Sequence, residues 1–238
     1  MTLVLRYSAR SDRGLVRQNN QDAVYAGPRL LALADGMGGH AAGEVASSLV
    51  ISALAPLDED DPGDDLLAEL REATVEGNAA ITRHVAEAPD LEGMGTTTTS
   101  LRIDDGKIFI GHVGDSRCYL LKPEGIWQLT RDHSLVQEKL RAGMITREQL
   151  KTDRMKNVIT RSVGFDLHFG IDVYEFEPAP GDLFLLCSDG LTGPVDDVDI
   201  HGIAKRVYFD VAATAQRVVQ IRAGLLVTTG PALTQALS

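Results

Sequence analysis

At 238 residues, 44% of them apolar, the chain is long enough to bury a full core, and we read residues 1–238 as one domain. A formal net charge of −11 excludes a polyanion partner such as nucleic acid, because phosphate-backbone binding rests on clustered Lys and Arg. No apolar run approaches the roughly 20 residues of a membrane span, and no basic-then-apolar N-terminal pair marks a signal peptide, so we expect a soluble, cytoplasmic monomer without a membrane segment.

In chain order, Leu3 to Ala9 reads as a first strand, Ala23 to Ala26 as a second, and Leu30 to Ala34 as a short apolar run of the kind that fills a buried strand. A glycine-rich loop follows. From Gly43 the apolar period changes: Val45, Leu49 and Leu54 suit a helix, and Leu66, Leu70, Ala73, Ala80, Ile81 and Val85 suit another. The acidic run Asp58 to Asp65 between them, broken by Pro62 and Gly63, reads as a solvated loop without function.

Thr96 to Ile103, Lys107 to Val113, Cys118 to Leu121 and Ile126 to Leu129 then read as short strands, with turns at Asp104-Asp105-Gly106 and Lys122-Pro123-Glu124-Gly125. A helical stretch from Ser134 to about Leu150 precedes strands at Gly170 to Phe176 and Asp182 to Cys187, and a final helix is expected through Ala204 to Ile221. Strands, two helices, strands, helices make an α+β domain with a largely antiparallel sheet. Cys118 and Cys187 lie inside apolar strand-like runs without paired-cysteine metal spacing, which fits reduced core residues.

Three aspartates stand at the same kind of place, each just after an apolar strand and at a tight turn: Asp35 before Gly36, Asp115 after Gly114, and Asp189 before Gly190. Any one of them alone reads equally well as a turn former. If their strands are neighbours, three carboxylates meet, and such a cluster is stable when a cation neutralises it or one carboxylate holds a proton. Oxygen ligands select hard ions, Mg²⁺ or Mn²⁺.

Whole motifs carry more than single residues. Ser11-Asp12-Arg13-Gly14, Arg17, Asn20-Gln21-Asp22, Ala34-Asp35-Gly36-Met37-Gly38-Gly39-His40 and Gly43-Glu44 are followed by Gly93-Met94-Gly95-Thr96-Thr97 and His112-Val113-Gly114-Asp115-Ser116-Arg117. Asp132-His133-Ser134 and Leu186-Cys187-Ser188-Asp189-Gly190-Leu191 complete the series. Together, over about residues 5 to 200, they resemble the bacterial PP2C-type (PPM family) metal-dependent serine/threonine protein phosphatases, in the family's motif order.

The resemblance implies two antiparallel β-sheets packed as a sandwich and flanked by helix pairs, four layers in the order α-β-β-α, with a binuclear Mn²⁺ or Mg²⁺ centre at one end. By the same resemblance Asp35 would bridge two ions, the Gly36 carbonyl would bind the second, Asp189 would ligate the first, Asp22 would hold metal-bound waters, and Asp115 would help bind a third. Arg17 would hold the substrate phosphate and His40 would protonate the leaving Ser or Thr oxygen. Residues Gly143 to Ser162 resemble the family's flap, whose Lys151, Arg154, Lys156 and Arg161 read either as a solvated basic face or as contacts to a phosphorylated substrate. The implied partners are phosphorylated Ser/Thr proteins and the Ser/Thr kinases that the phosphatase would oppose.

Two positions depart from the pattern. Gln21 stands where the family usually has glutamate, which turns a carboxylate into a neutral amide acceptor. The family also closes with Asp-Asn, then Thr and a last strand, that Asp being a ligand of the first ion, whereas this chain has no Asp or Glu after Asp210 and its segment 201–238 is atypical. Val227-Thr228-Thr229-Gly230-Pro231, if encoded GTG-ACA-ACG-GGA-CCN, becomes Asp-Asn-Gly-Thr when read from the third base of the valine codon, so a frameshift would account for the departure. The functional alternative to a phosphatase is a pseudophosphatase that binds phosphoproteins through an impaired metal site.

Overall fold

The computed structural model describes residues 5–13, 18–39, 42–59, 65–165, 170–209 and 221–228. Eleven strands and six α-helices are present among these residues. The strands are β1 (Leu5–Asp12), β2 (Asp22–Ala26), β3 (Leu30–Met37), β4 (Gly95–Thr96), β5 (Thr98–Asp104), β6 (Lys107–Val113), β7 (Arg117–Lys122), β8 (Gly125–Gln128), β9 (Asp172–Phe176), β10 (Leu183–Cys187) and β11 (Ile221–Thr228). The helices are α1 (Ala42–Leu54), α2 (Leu66–Glu87), α3 (Leu135–Arg141), α4 (Arg147–Leu150), α5 (Asp189–Thr192) and α6 (Asp197–Ala204).

One sheet runs β1-β11-β10-β7-β8 and the other β2-β3-β5-β6-β9, with β4 beside β3. Their apolar sequences explain why they stack. Alternate residues of a strand face opposite sides, so Leu31, Leu33, Leu101, Ile108 and Ile110 of the second sheet meet Leu5, Cys118, Leu120, Phe184 and Leu186 of the first in a buried layer between them. The intervening Leu30 and Ala32 turn outward onto Ala46, Val50 and Leu54 of α1 and Leu70 and Ile81 of α2. On the far side, Tyr119, Leu121, Leu183 and Cys187 pack against Leu191 of α5 and Ile200 and Ala204 of α6. The result is an α+β sandwich in the layer order α-β-β-α. Strands buried on both faces need apolar residues at every position, which is why Leu30 to Ala34 is continuous rather than alternating. Each fully buried Leu there contributes about 1.5–3 kcal/mol.

Most strand and helix expectations match within a residue or two, and the differences have physical causes. The stretch from Ser134 splits into α3 and α4 because Gly143, at φ 70°, adopts the left-handed conformation that stops a helix. Thr146 then restarts the chain with a capping box to Gln149. Of the helix expected through Ala204 to Ile221, Ala204 closes α6 and Lys205–Phe209 forms a wide turn, while 210–220 lies outside the described residues. From Ile221 the chain is β11, parallel to both β1 and β10, although every other described pairing is antiparallel. A strand between β1 and β10 satisfies backbone groups on both sides.

The solvated-loop reading of the acidic run also needs correction at its first residue. Asp58 is 6% exposed, and its carboxylate accepts from the backbone N–H of Arg29 (2.7 Å) and Leu30 (2.8 Å) and from the Tyr25 hydroxyl (3.1 Å). It caps the β2–β3 turn from the short 3-10 turn Ala55–Asp58 that follows α1, a role that sequence adjacency cannot reveal.

Behind the sheet end, His112 is wholly buried, its Nδ1 accepting from the Thr99 hydroxyl at 3.0 Å and its Nε2 donating to the Arg131 carbonyl at 3.0 Å. Burial, then the neighbouring His133, lowers its pKa from 6.5 to about 4. The unfolded chain therefore binds a proton between these values that the folded chain refuses, and stability present above about 6.5 is lost as pH falls toward about 4, by on the order of 3 kcal/mol. The contribution is read as the difference between the parent and His112→Gln in urea unfolding at pH 7 and at pH 4: the parent should lose on the order of 3 kcal/mol more over that range than the variant does.

Candidate metal centre

The register of the strands gathers the carboxylates. β2 and β3 pair with Asp22 directly opposite Asp35, an arrangement of like charges that a sheet disfavours. In the other sheet Arg117 of β7 pairs with Cys187 of β10, so Asp115, two residues before one, and Asp189, two residues after the other, leave the sheet at the same end. A cleft of about 890 Å³ opens there, lined by Asp35, Asp115 and Asp189 together with Gly36 and Gln21. A recess of about 100 Å³ adjoins it and adds Asp22 and Gly190. All five residues assigned to metal binding from the sequence, Asp22, Asp35, Gly36, Asp115 and Asp189, thus border one connected space. Arg17 and His40 lie outside the described residues.

Electrostatics make this gathering unfavourable without a cation. Burial, followed by the charges of Asp22 and Asp189, holds the Asp35 carboxyl well above the ordinary carboxylate range. Burial, followed by Asp189 and Asp132, pushes Asp115 up to about 7. Removing charge by protonation or supplying it by a cation are the two remedies open to such a cluster.

The backbone holds Asp35 against this repulsion. The Thr97 hydroxyl accepts from the Asp35 N–H (3.0 Å), and the Thr97 N–H (2.9 Å) and Thr96 hydroxyl (2.9 Å) both donate to the Asp35 carbonyl. Gly36 donates its N–H to the Gln21 carbonyl at 3.1 Å, and Ser47 of α1 donates to the same oxygen at 2.7 Å. A Cβ on Gly36 would enter the Gly43 carbonyl at the start of α1 and stand 2.6 Å from the Gln21 oxygen. Only glycine permits that approach.

Arg117 locks the adjoining turn. Its Nε and Nη2 donate to the Asp132 carboxylate at 3.0 and 2.7 Å, and Gln128 and Tyr119 complete the network. Sequence reasoning quoted the Gly95-Thr96-Thr97 and Asp132-His133-Ser134 motifs without giving them work; the structure assigns them to holding Asp35 and the Asp115 turn. Asn19, Asn157, Thr160 and Phe165 also line the cleft and carried no sequence signal. Of the four flap cations, Arg161 lines the cleft, whereas Lys151 pairs with Asp196 at the α6 N-terminus.

The donor set is entirely oxygen, which suits Mg²⁺ or Mn²⁺ rather than a softer ion. Among the described residues no three acidic, His or Cys side chains close into a finished ligand set. β11 brings none to the cleft end: it finishes at Leu226, Val227 and Thr228 beside the end of β10.

A model of the protein phosphatase 2C family matches residues 8–220. The chain belongs to this family. Over 222 residues it is 50% identical to the serine/threonine protein phosphatase PstP of Mycobacterium tuberculosis, covering 93% of this chain and 42% of PstP, so the chain spans less than half of that relative. It is 36% identical over 205 residues to the serine/threonine phosphatase Stp of Listeria monocytogenes, covering 82% and 81% of the two chains. The crystal structure of the PstP catalytic domain in complex with two manganese ions superposes with a TM-score of 0.77 at 49% identity, covering 89% of this chain and 92% of that one. The PPM-family fold expected from the motifs is therefore the fold of this chain.

Charge relief gives a direct check. With metal chelated, Asp35→Asn should raise the thermal midpoint by roughly 2–4 °C, while the stabilisation that Mn²⁺ adds to the parent should largely disappear. Gly36→Ala should instead cost about 1–3 kcal/mol or more in both conditions, because it displaces α1. Calorimetric scans with and without Mn²⁺ separate the two.

Proposed function

We propose that the chain hydrolyses phosphoserine and phosphothreonine in proteins, as one PPM-type phosphatase domain that uses Mn²⁺ or Mg²⁺. The observation that carries this reading is the convergence of four aspartates and the Gly36 backbone on one cleft, in a chain whose relatives are named serine/threonine phosphatases. Asp35 and the Gly36 carbonyl would hold a pair of ions, with Asp189 on the first, Asp22 behind them as an acceptor and Asp115 toward a third. When bound, such ions lower the pKa of water and neutralise charge on the phosphoryl oxygens.

The remaining work falls to side chains. Arg17 would fix the phosphate through its guanidinium fork, and His40 would hand a proton to the departing Ser or Thr oxygen, a poor leaving group without it. Phosphorus takes its new oxygen from water as the bond to the side-chain oxygen breaks, so a free hydroxyl and inorganic phosphate result. The substrates would be proteins phosphorylated by Ser/Thr kinases. We place the domain in the cytoplasm as a monomer; two buried, unlinked cysteines support a reducing compartment, and no described helix is long and apolar enough to cross a membrane.

With no Asp or Glu after Asp210, the first ion has one carboxylate fewer than the family pattern supplies. Activation by Mn²⁺ should therefore need millimolar concentrations, about 10–100-fold above a site with that ligand. A Mn²⁺ titration of p-nitrophenyl phosphate hydrolysis checks this, repeated with Asp35→Asn, which should reduce the rate by a similar factor or more. Absence of any Mn²⁺-dependent rate would defeat the enzyme reading, and a rate untouched by Asp35→Asn would defeat the proposed site.

A further inference from the structure

Asp172, at the start of the edge strand β9, joins two parts of the cleft that the chemistry above leaves unconnected. Its Oδ1 accepts from Arg161 at 3.1 Å, and its Oδ2 accepts from the Tyr174 hydroxyl at 2.9 Å and from His133 Nε2 at 3.2 Å. The tautomer of His133 follows from its other nitrogen: the Gly114 N–H donates to Nδ1 at 3.1 Å, so the ring proton sits on Nε2 and points at Asp172. The ring is 1% exposed, and its burial keeps its pKa below the ordinary value.

The backbone of His133 is fastened on both sides as well. Its N–H donates to the Gly114 carbonyl at 2.7 Å and its carbonyl accepts from the Thr160 N–H at 2.8 Å. Gly114 precedes Asp115 and Thr160 precedes Arg161. His133 is thus a clamp between the Asp115 turn and the end of the flap, and Asp172 holds the clamp's ring and the Arg161 guanidinium at once.

Arg161 is the only cation among the described residues lining the cleft, which it shares with Asp35, Asp115 and Asp189. A mobile guanidinium in that position would fold onto those carboxylates, where the low dielectric strengthens attraction. It would then be lost to the substrate. A fixed carboxylate on the outer side prevents this, using one nitrogen and leaving the rest of the fork for an incoming anion.

We propose that Asp172 is a positioning residue: it draws Arg161 away from the cleft's own carboxylates and presents it to the phosphate or a neighbouring acidic group of the substrate, while steadying the Asp115 turn through His133. This rests on the phosphatase reading for the identity of the substrate, but the contact itself does not.

The test uses the Mn²⁺-loaded chain and a phosphothreonine peptide. Asp172→Asn keeps the shape of the side chain and removes its charge; KM should rise about tenfold with kcat changed by less than about twofold. Arg161→Ala should raise KM similarly, and the double variant should show little beyond either single one, because both break the same contact. In parallel, the downfield Nε2–H proton resonance of His133 should move upfield in Asp172→Asn but not in Arg161→Ala. A KM within about twofold of the parent in either single variant, additive effects in the double variant, or an unmoved His133 resonance would each overturn the proposal. Should Asp172→Asn fail to fold, Arg161→Ala, whose side chain is 40% exposed, still decides through KM. A parent without turnover would count against the phosphatase reading instead, and the His133 resonance would still test the contact.

Discussion

Repulsion among carboxylates gathered at one end of the sandwich is the constraint on which this molecule is organised. Asp22 and Asp35 stand opposite each other in one sheet, and Asp115 and Asp189 leave neighbouring strands of the other at the same end. Each is an ordinary turn or strand-end residue by itself. Together at one cleft they oppose the folding that brings them together, most strongly at Asp35 and Asp115, whose pKa values are driven upward by burial and by their neighbours' charges. Such strain persists where the surroundings over-determine it, and it marks functional sites.

The surroundings here do so twice over. At short range, Thr96, Thr97, Ser47 and the Arg117–Asp132 pair hold the backbone and turns beneath the carboxylates by hydrogen bonds to fixed partners. At long range, three apolar layers sit behind the site, one between the sheets and one under each helix pair. Their burial is large enough to tolerate a costly end, and because the cost is confined to strand ends the layers themselves need no polar compromise. The same division explains the glycine at position 36: the helix α1 docks so closely that a side chain there would disturb both the core behind and the cleft in front.

Family membership places the cleft in a known setting, while two features belong to this chain. Gln21 keeps an oxygen at the cleft but gives up a charge, and β11 enters the first sheet parallel to its neighbours and ends without a carboxylate. Both leave less negative charge at this end of the sandwich than a carboxylate at either place would give. The cluster is therefore less strained without metal and less able to hold it, two consequences of the same electrostatics.

The sequence by itself determined the layers and the identity of the carboxylates. Continuous apolar runs such as Leu30 to Ala34 suited strands buried on both faces, the 3.6-residue period after Gly43 suited helices against them, and the motif order around Asp35, Asp115 and Asp189 pointed to the family. It could not decide what depends on partners distant in the chain. That Asp58 is a buried cap, that Asp172 ties Arg161 to His133, and that the segment from Ile221 is a strand between β1 and β10 were settled only in the tertiary structure. In each case the deciding energy is a hydrogen bond or ladder contact between segments far apart in sequence, which local periodicity does not encode.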